Sequence, residues 1–183
     1  LAEFTNATEN DQSLKLLLIE EPEAHLHPQL QIRLLKYLEE QANISNIQVI
    51  VTTHSPVVSA AVSVDTLIHI SKPHDIPTAI RVLDCGLSDN SKSFILRWLD
   101  VTKSTLFYSR GIILVEGIAE SMLIPELAKY VLAEHNLSSI QKLPPNLVEA
   151  GVSVINMNGI YFKHFMQLFC NITTDEYKNI PIF

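Results

Sequence analysis

Two pairs of carboxylates stand where a chain can put them to chemical use. Glu20 and Glu21 close the short apolar run 14–19, and Glu116 closes the run 112–115, with Glu120 four residues later. Adjacent charges after a buried strand cannot be left unpaired in a low-dielectric place. In open parallel sheets, ligands gather at the carboxyl ends of strands. One such carboxylate can hold Mg²⁺, directly or through water, while its neighbour faces the attacking water of a phosphoryl transfer. His54 ends the next apolar run, where an imidazole can bond a terminal phosphate or orient that water. Between Glu116 and Glu120, Gly117 permits a sharp or close backbone path. The spacing predicts both carboxylates converging on one point, as half of a Mg²⁺ site of the kind that stabilises charge on a phosphodiester.

The elements that must position these groups alternate between strand and helix. The run 14–19 is predicted as a buried central strand. Pro28 opens a helix to about Ala42, with Leu30, Leu34 and Leu38 on one face. A turn over 43–46 and a strand over 47–51 follow, which implies a parallel pair with a crossover helix. Short strands are expected over 66–70 and 78–83, then a helix over about 91–106. Arg110-Gly111 breaks that pattern, and the domain boundary is placed there. A second alternation begins with the strand 112–115 and a helix from about Glu120 bearing Leu123, Leu127 and Val131, with Pro125 tolerable only near its first turn. A loop over 138–150, a strand over 152–157 and a helix bearing Phe162, Phe165, Met166 and Phe169 complete it. Residues 180–183 look like the start of a third strand, and residues 1–13 read as a loop or frayed end.

Composition narrows the class. The 183 residues are 47% hydrophobic and 18% charged, enough apolar material for a real core. Thirteen Lys and Arg against twenty Asp and Glu give a net charge of −7, which excludes a uniformly basic nucleic-acid coat but not a local basic groove. Cys85 and Cys170 form no metal or disulfide framework. With no secretory signal and no apolar run near the ~18 residues of a membrane span, the expected setting is the reduced cytoplasm, with no membrane partner. The chain opens on Leu1 and is expected to be a piece of a longer protein.

The motifs carry a resemblance. Leu16-Leu17-Leu18-Ile19-Glu20-Glu21-Pro22 resembles the Walker B segment of ABC-type ATPases, with Glu20 in the place of the Mg²⁺-linked Asp and Glu21 in that of the catalytic Glu. Glu23-Ala24-His25-Leu26-His27-Pro28 resembles the loop that reaches toward a partner nucleotide domain, and Val51-Thr52-Thr53-His54-Ser55-Pro56 resembles the switch-histidine segment. Glu-Glu-Pro-Glu followed by Leu-His-Pro is characteristic of the RecF-like and OLD-type (overcoming lysogenization defect) branch. Ile113-Leu114-Val115-Glu116-Gly117-Ile118-Ala119-Glu120 resembles the opening motif of the Toprim fold. In this order, the two units resemble the OLD-family ATP-dependent endonucleases over nearly all of residues 14–183.

That resemblance implies an α/β fold. Residues 1–109 would be the C-terminal half of a RecF/ABC-type ATPase sheet, and residues 110–183 the N-terminal part of a truncated, Rossmann-like Toprim unit. It implies ATP and Mg²⁺ or Mn²⁺ as cofactors, DNA as partner, and a homodimer or higher oligomer formed through the ATPase domain. It implies that Glu20 helps hold the ATP-bound Mg²⁺, that Glu21 polarises the hydrolytic water, and that His54 senses the γ-phosphate. Glu116 would coordinate metal or act as general base, and Glu120 would be a further metal ligand. None of the five glycines begins a P-loop, and none of the seven aspartates forms the Asp-x-Asp pair of a third Toprim strand. Both are expected outside this chain, the first upstream of Leu1 and the second beyond Phe183.

Blander readings compete. His25 and His27 have the alternate spacing of zinc ligands, yet no third or fourth ligand is evident. His69 and His74 read as ordinary surface or half-buried histidines. Lys163 and His164 could touch DNA phosphate, but a solvated helix face is favoured. Arg97, Lys103 and Arg110 are the nearest approach to a basic cluster. The competing function is a RecF-like ATP-gated DNA clamp whose Toprim unit holds DNA without cutting it. A role in phage defence or DNA repair belongs to the resemblance alone.

Overall fold

The structure, a computed structural model, describes residues 14–72 and 76–169. The frayed end expected over 1–13, the third strand expected near 180, His74 and Cys170 lie outside those residues. The chain divides into two compact units, 1–58 and 59–183, and the division falls inside the short helix α2 (Pro56–Ala61). The described residues form an α/β fold.

In the first unit, β1 (Leu16–Glu20) lies parallel to β2 (Gln48–Thr52), in register from Leu16 opposite Gln48 to Glu20 opposite Thr52. The crossover is α1 (Pro28–Ser45), which packs against β2. His27 caps α1 by accepting the Gln29 N–H on Nδ1 at 3.4 Å, and Pro28 takes the first helical position, where no N–H is needed. The helix runs three residues beyond its expected end, because Asn46 closes it in a left-handed conformation (φ 49°), which Asn tolerates. The buried central strand expected here is not seen. Leu16 and Leu18 are 44% and 67% exposed, since β1 has a single strand neighbour among the described residues and α1 packs against β2.

The second unit pairs β3 (Ile68–Ser71) antiparallel with β4 (Thr78–Arg81), and β5 (Gly111–Val115) parallel with β6 (Val152–Asn156). Between the pairs, α3 (Asp89–Trp98) is shorter than expected. Leu99 ends it, and a separate 3-10 turn covers Lys103–Tyr108, because the Asp100 carboxylate accepts the Lys103 N–H at 2.8 Å and the Thr102 hydroxyl at 2.6 Å and so starts a new turn. The crossover helix α4 (Ile118–Ser138) runs through Pro125 in its interior, forgoing the bond that a residue with an N–H would give to the Ser121 carbonyl. Its expected buried stripe is open instead, with Leu123, Leu127 and Val131 56%, 51% and 65% exposed. A short α5 (Phe162–Met166) follows, with Phe165 and Phe169 buried but Met166 exposed.

One core joins residues from before and after the Arg110-Gly111 break. Val64, Val82, Ile95, Leu99 and Leu106 pack with Ile112, Ile155, Met157, Phe165, Leu168 and Phe169. Burying a side chain of this size contributes about 1.5–3 kcal/mol. The segment 59–109 therefore shares its packing with β5 and β6, whichever motif it is assigned to.

Three side chains that the sequence left open are placed in this core or its margin. Lys103 is buried, its ammonium 2.5 Å from Asp100 Oδ2, so it is not available to neutralise phosphate and leaves the expected basic cluster. His164 is half-buried: its Nδ1 is 3.0 Å from Ser91 Oγ and its ring stacks on Phe94 at 4.3 Å, not on a solvated helix face. His69 lies 3.0 Å from the Phe107 carbonyl through Nε2, which identifies that nitrogen as the donor. Burial pushes the His69 pKa down, against the raising effect of the Phe107 bond. A histidine depressed in the folded state contributes stability above its unfolded pKa of about 6.5, and that contribution is lost as the pH falls toward the lower folded value. Hydrogen exchange of the β3 amides should therefore quicken on acidification through that window, and His69→Gln, which keeps a donor, should abolish this part of the pH dependence.

Candidate functional site

The carboxyl ends of β1 and β2 coincide because the strands are parallel and in register. Glu21 turns sharply there, with φ 41°, a left-handed conformation rare outside glycine. Its N–H donates to the Thr52 carbonyl at 3.0 Å, extending the strand ladder by one residue. That turn aims the Glu21 carboxylate at His54, with Oε1 3.1 Å from Nε2. Both side chains are open to water, 48% and 82% exposed, so an ion pair here is worth about 0–1 kcal/mol. Glu20 is exposed on the neighbouring position. Of the three residues expected at this edge, Glu21 and His54 thus meet in a contact weak enough for a ligand to displace.

Beneath them is a residue that the motif contained but that the sequence reading gave no task. Glu23 Oε1 accepts the Thr53 hydroxyl at 2.5 Å and the His54 N–H at 2.9 Å, while Oε2 is buried with no hydrogen-bond partner among the described residues. Burial raises the Glu23 pKa, but the Thr53 hydroxyl and the N–H groups of Glu23, His54 and Ser55 outweigh it and hold the carboxyl below its ordinary range. The signal was present in Pro22-Glu23 and in Thr53-His54-Ser55. It went unread because the partners are separated by thirty residues.

At the second edge, Glu116 follows β5 and is exposed. Its carbonyl accepts the Gly159 N–H at 2.9 Å, and the Val115 carbonyl accepts the Met157 N–H at 2.9 Å, which seals the ends of β5 and β6 together. Gly117 is the N-cap of α4, and Glu120 lies in the helix's first turn, where an acid is favoured by the helix dipole. A Cβ on Gly117 would stand 3.2 Å from Glu120 Oε2, so this carboxylate folds back over the glycine toward the strand end that carries Glu116. Neither Glu116 nor Glu120 is paired with a cation among the described residues. Asn156 ends β6 opposite Val115 and uses its Oδ1 to accept the Asn158 N–H at 2.8 Å, an edge contact the sequence reading missed.

Carboxylate oxygens are the donors that Mg²⁺ takes, and the ion needs few of them because it keeps several waters. Among the described residues no cluster of three or more His, Cys, Asp or Glu could close a cation site. Each edge therefore offers one or two hard oxygens, the partial set that suits a cation shared with phosphate. His25 and His27 are in no such cluster; His27 serves as the helix cap.

A segment ending at an acidic parallel edge, followed by a second parallel pair ending in Glu-Gly, defines an ATPase-type segment ahead of a Toprim-type one. Comparison with known families agrees: residues 1–58 match the model of an AAA ATPase domain, and residues 107–177 match that of an overcoming lysogenization defect protein-like TOPRIM domain. In this order, the two matches make the chain similar to ATPase-nucleases of the OLD type. The chain is 29% identical over 114 residues to the OLD nuclease of Thermus scotoductus, covering 60% of this chain and 22% of that protein. It is 23% identical over 156 residues to endonuclease GajA of Bacillus cereus, covering 85% of this chain and 24% of that protein. The chain thus spans about a quarter of the length of the curated relatives it matches. No helix among the described residues is long and apolar enough to cross a membrane.

Proposed function

We propose that the whole protein is an ATP-controlled, metal-dependent DNA endonuclease of the cytoplasm, assembled as a homodimer or higher oligomer through its ATPase domain. Residues 1–109 contribute the C-terminal half of that ATPase domain, and residues 110–183 open the Toprim nuclease. Phage defence is the biological setting that its kinship favours. The observation that carries the reading is the pair Glu116 and Glu120 at the carboxyl edge of a parallel pair, neither paired with a cation among the described residues, with the Glu120 carboxylate folded over Gly117.

Mg²⁺ or Mn²⁺, when bound, supplies Lewis-acid charge beside phosphate. Glu116 would offer a carboxylate oxygen to the cation or take a proton from the attacking water, and Glu120 would be a further ligand. At the other edge, Glu20 would offer its carboxylate to the nucleotide's cation. Glu21 accepts the proton of the hydrolytic water once His54 has left it, and the His54 Nε2 then bonds the terminal phosphate. The separation of Glu21 from His54 is a small cost, because both are exposed and their pairing is weak.

The test is cleavage of plasmid DNA by the whole protein with ATP, with and without a chelator. Divalent-dependent nicking or linearisation, abolished by the chelator, is the expected result. Stable DNA binding without cleavage in Mg²⁺ or Mn²⁺ would turn the reading to an ATP-gated clamp.

A further inference from the structure

The imidazole of His54 is 82% exposed, and its Nε2 meets the carboxylate of Glu21, itself half-exposed. Such a side chain cannot hold its own direction; its backbone must do so. That backbone is held from below. Glu23 Oε1 accepts both the His54 N–H and the Thr53 hydroxyl, and Thr53 Oγ1 in turn accepts the Ser55 N–H at 3.0 Å. Ser55 Oγ donates to Gln31 Oε1 at 2.7 Å, and Gln31 Nε2 donates to the Leu26 carbonyl at 2.9 Å. The loop 21–27 and the first turn of α1 are thereby tied to residues 53–55. Glu23 sits between two left-handed residues, Glu21 (φ 41°) and His25 (φ 65°), conformations that persist only where surrounding contacts impose them. A single carboxylate oxygen thus ties the loop after β1 to both Thr53 and His54.

We propose that Glu23 is a positioning residue that aims His54 at the nucleotide, by clamping the His54 N–H and the Thr53 hydroxyl on one oxygen. The proposal rests on the ATPase reading of this edge. Glu23 acts through His54. Both bonds fall on Oε1, so a side chain that keeps an acceptor there can make the same clamp.

The experiment uses the whole protein and compares Glu23→Ala, Glu23→Gln, His54→Ala and the double variant E23A/H54A in steady-state ATP hydrolysis. Glu23→Ala should lower kcat by about 10²-fold, the scale of a misplaced group near the chemistry, with KM for ATP changed by less than about threefold. Glu23→Gln keeps the Oε1 acceptor and should recover most of the rate. In the His54→Ala background, Glu23→Ala should cost less than about twofold more, because a residue that acts through a missing partner has nothing left to lose. Multiplicative effects in the double variant would overturn the proposal and leave Glu23 a part of the general scaffold. NMR of ¹³C-labelled histidine gives a readout independent of turnover: Glu23→Ala should move and broaden the His54 ring signal, and an unmoved signal would also overturn it. A wild-type protein that hydrolyses no ATP would defeat the ATPase reading, while the His54 signal would still decide whether Glu23 positions the ring.

Discussion

Glu116→Gln is expected to lower DNA cleavage by the whole protein by about 10³-fold at saturating Mg²⁺ or Mn²⁺, within the range set by loss of a catalytic acid or base. The substitution is nearly isosteric. It leaves intact the bond from the Gly159 N–H to the residue's carbonyl, so the junction of β5 and β6 should hold. What it removes is the negative charge that a divalent cation or a departing proton needs. Glu120→Gln should be milder, about 10–100-fold, and partly rescued by more metal, since Glu120 is a helix-borne second oxygen. ATP hydrolysis should persist in both variants. Plasmid nicking followed over a metal titration makes the measurement, and wild-type cleavage by Glu116→Gln would show that the reacting site lies elsewhere.

The largest expected effect on stability is at Asp100. The Lys103 side chain is 3% exposed, and its ammonium is 2.5 Å from Asp100 Oδ2. Removing the partner of a buried charge costs about 3–5 kcal/mol. Asp100 is itself 52% exposed, and water can reach part of the gap, so about 2–3 kcal/mol is expected for Asp100→Ala. Lys103→Met removes the charge together with its need for a partner and should stay within about 1 kcal/mol of the wild type. The pair also carries a pH signature. Burial raises the Asp100 pKa, but its bonds to Lys103 and Thr102 lower it further than burial raises it. A carboxylate depressed on folding contributes its full stability above the unfolded value of about 3.9, and that contribution is lost as the pH falls through the lower folded value. Hydrogen exchange at the β5 amides should reveal both effects, with the acid dependence absent in Asp100→Ala.

The same pair shows where a residue pattern stops being informative. Lys103 reads as a surface cation in a polar stretch, and nothing within four residues distinguishes it from Arg97. It is buried in a unit whose core brings Ile95, Leu99 and Leu106 together with Ile112, Ile155 and Phe165, a span of up to seventy residues. His164 has the same history: helical spacing put it on a face, and stacking on Phe94 decided which face was covered. The stripe Leu123, Leu127 and Val131 erred in the opposite sense. Apolar periodicity marks a face that can be buried, whereas burial requires a neighbour, and among the described residues this helix has none over that face.

What could be read from the residues alone was local chemistry at element ends. The two apolar runs closed by acids, the His54 segment, the proline-led α1 and the Glu116–Glu120 turn all depend on neighbours within a few positions, and each appears where the spacing placed it. The order of the two segments carried the resemblance to OLD-type ATPase-nucleases as well. Tertiary structure supplied the rest: that Glu21 turns left-handed to meet His54, that Glu120 folds over Gly117, and that Glu23 ties the loop after β1 to Thr53 and His54. Hydrogen bonds across thirty residues and a core drawn from both sides of Arg110 have no periodicity to betray them. They exist only once the chain has closed on itself and each buried polar group has had to find a partner.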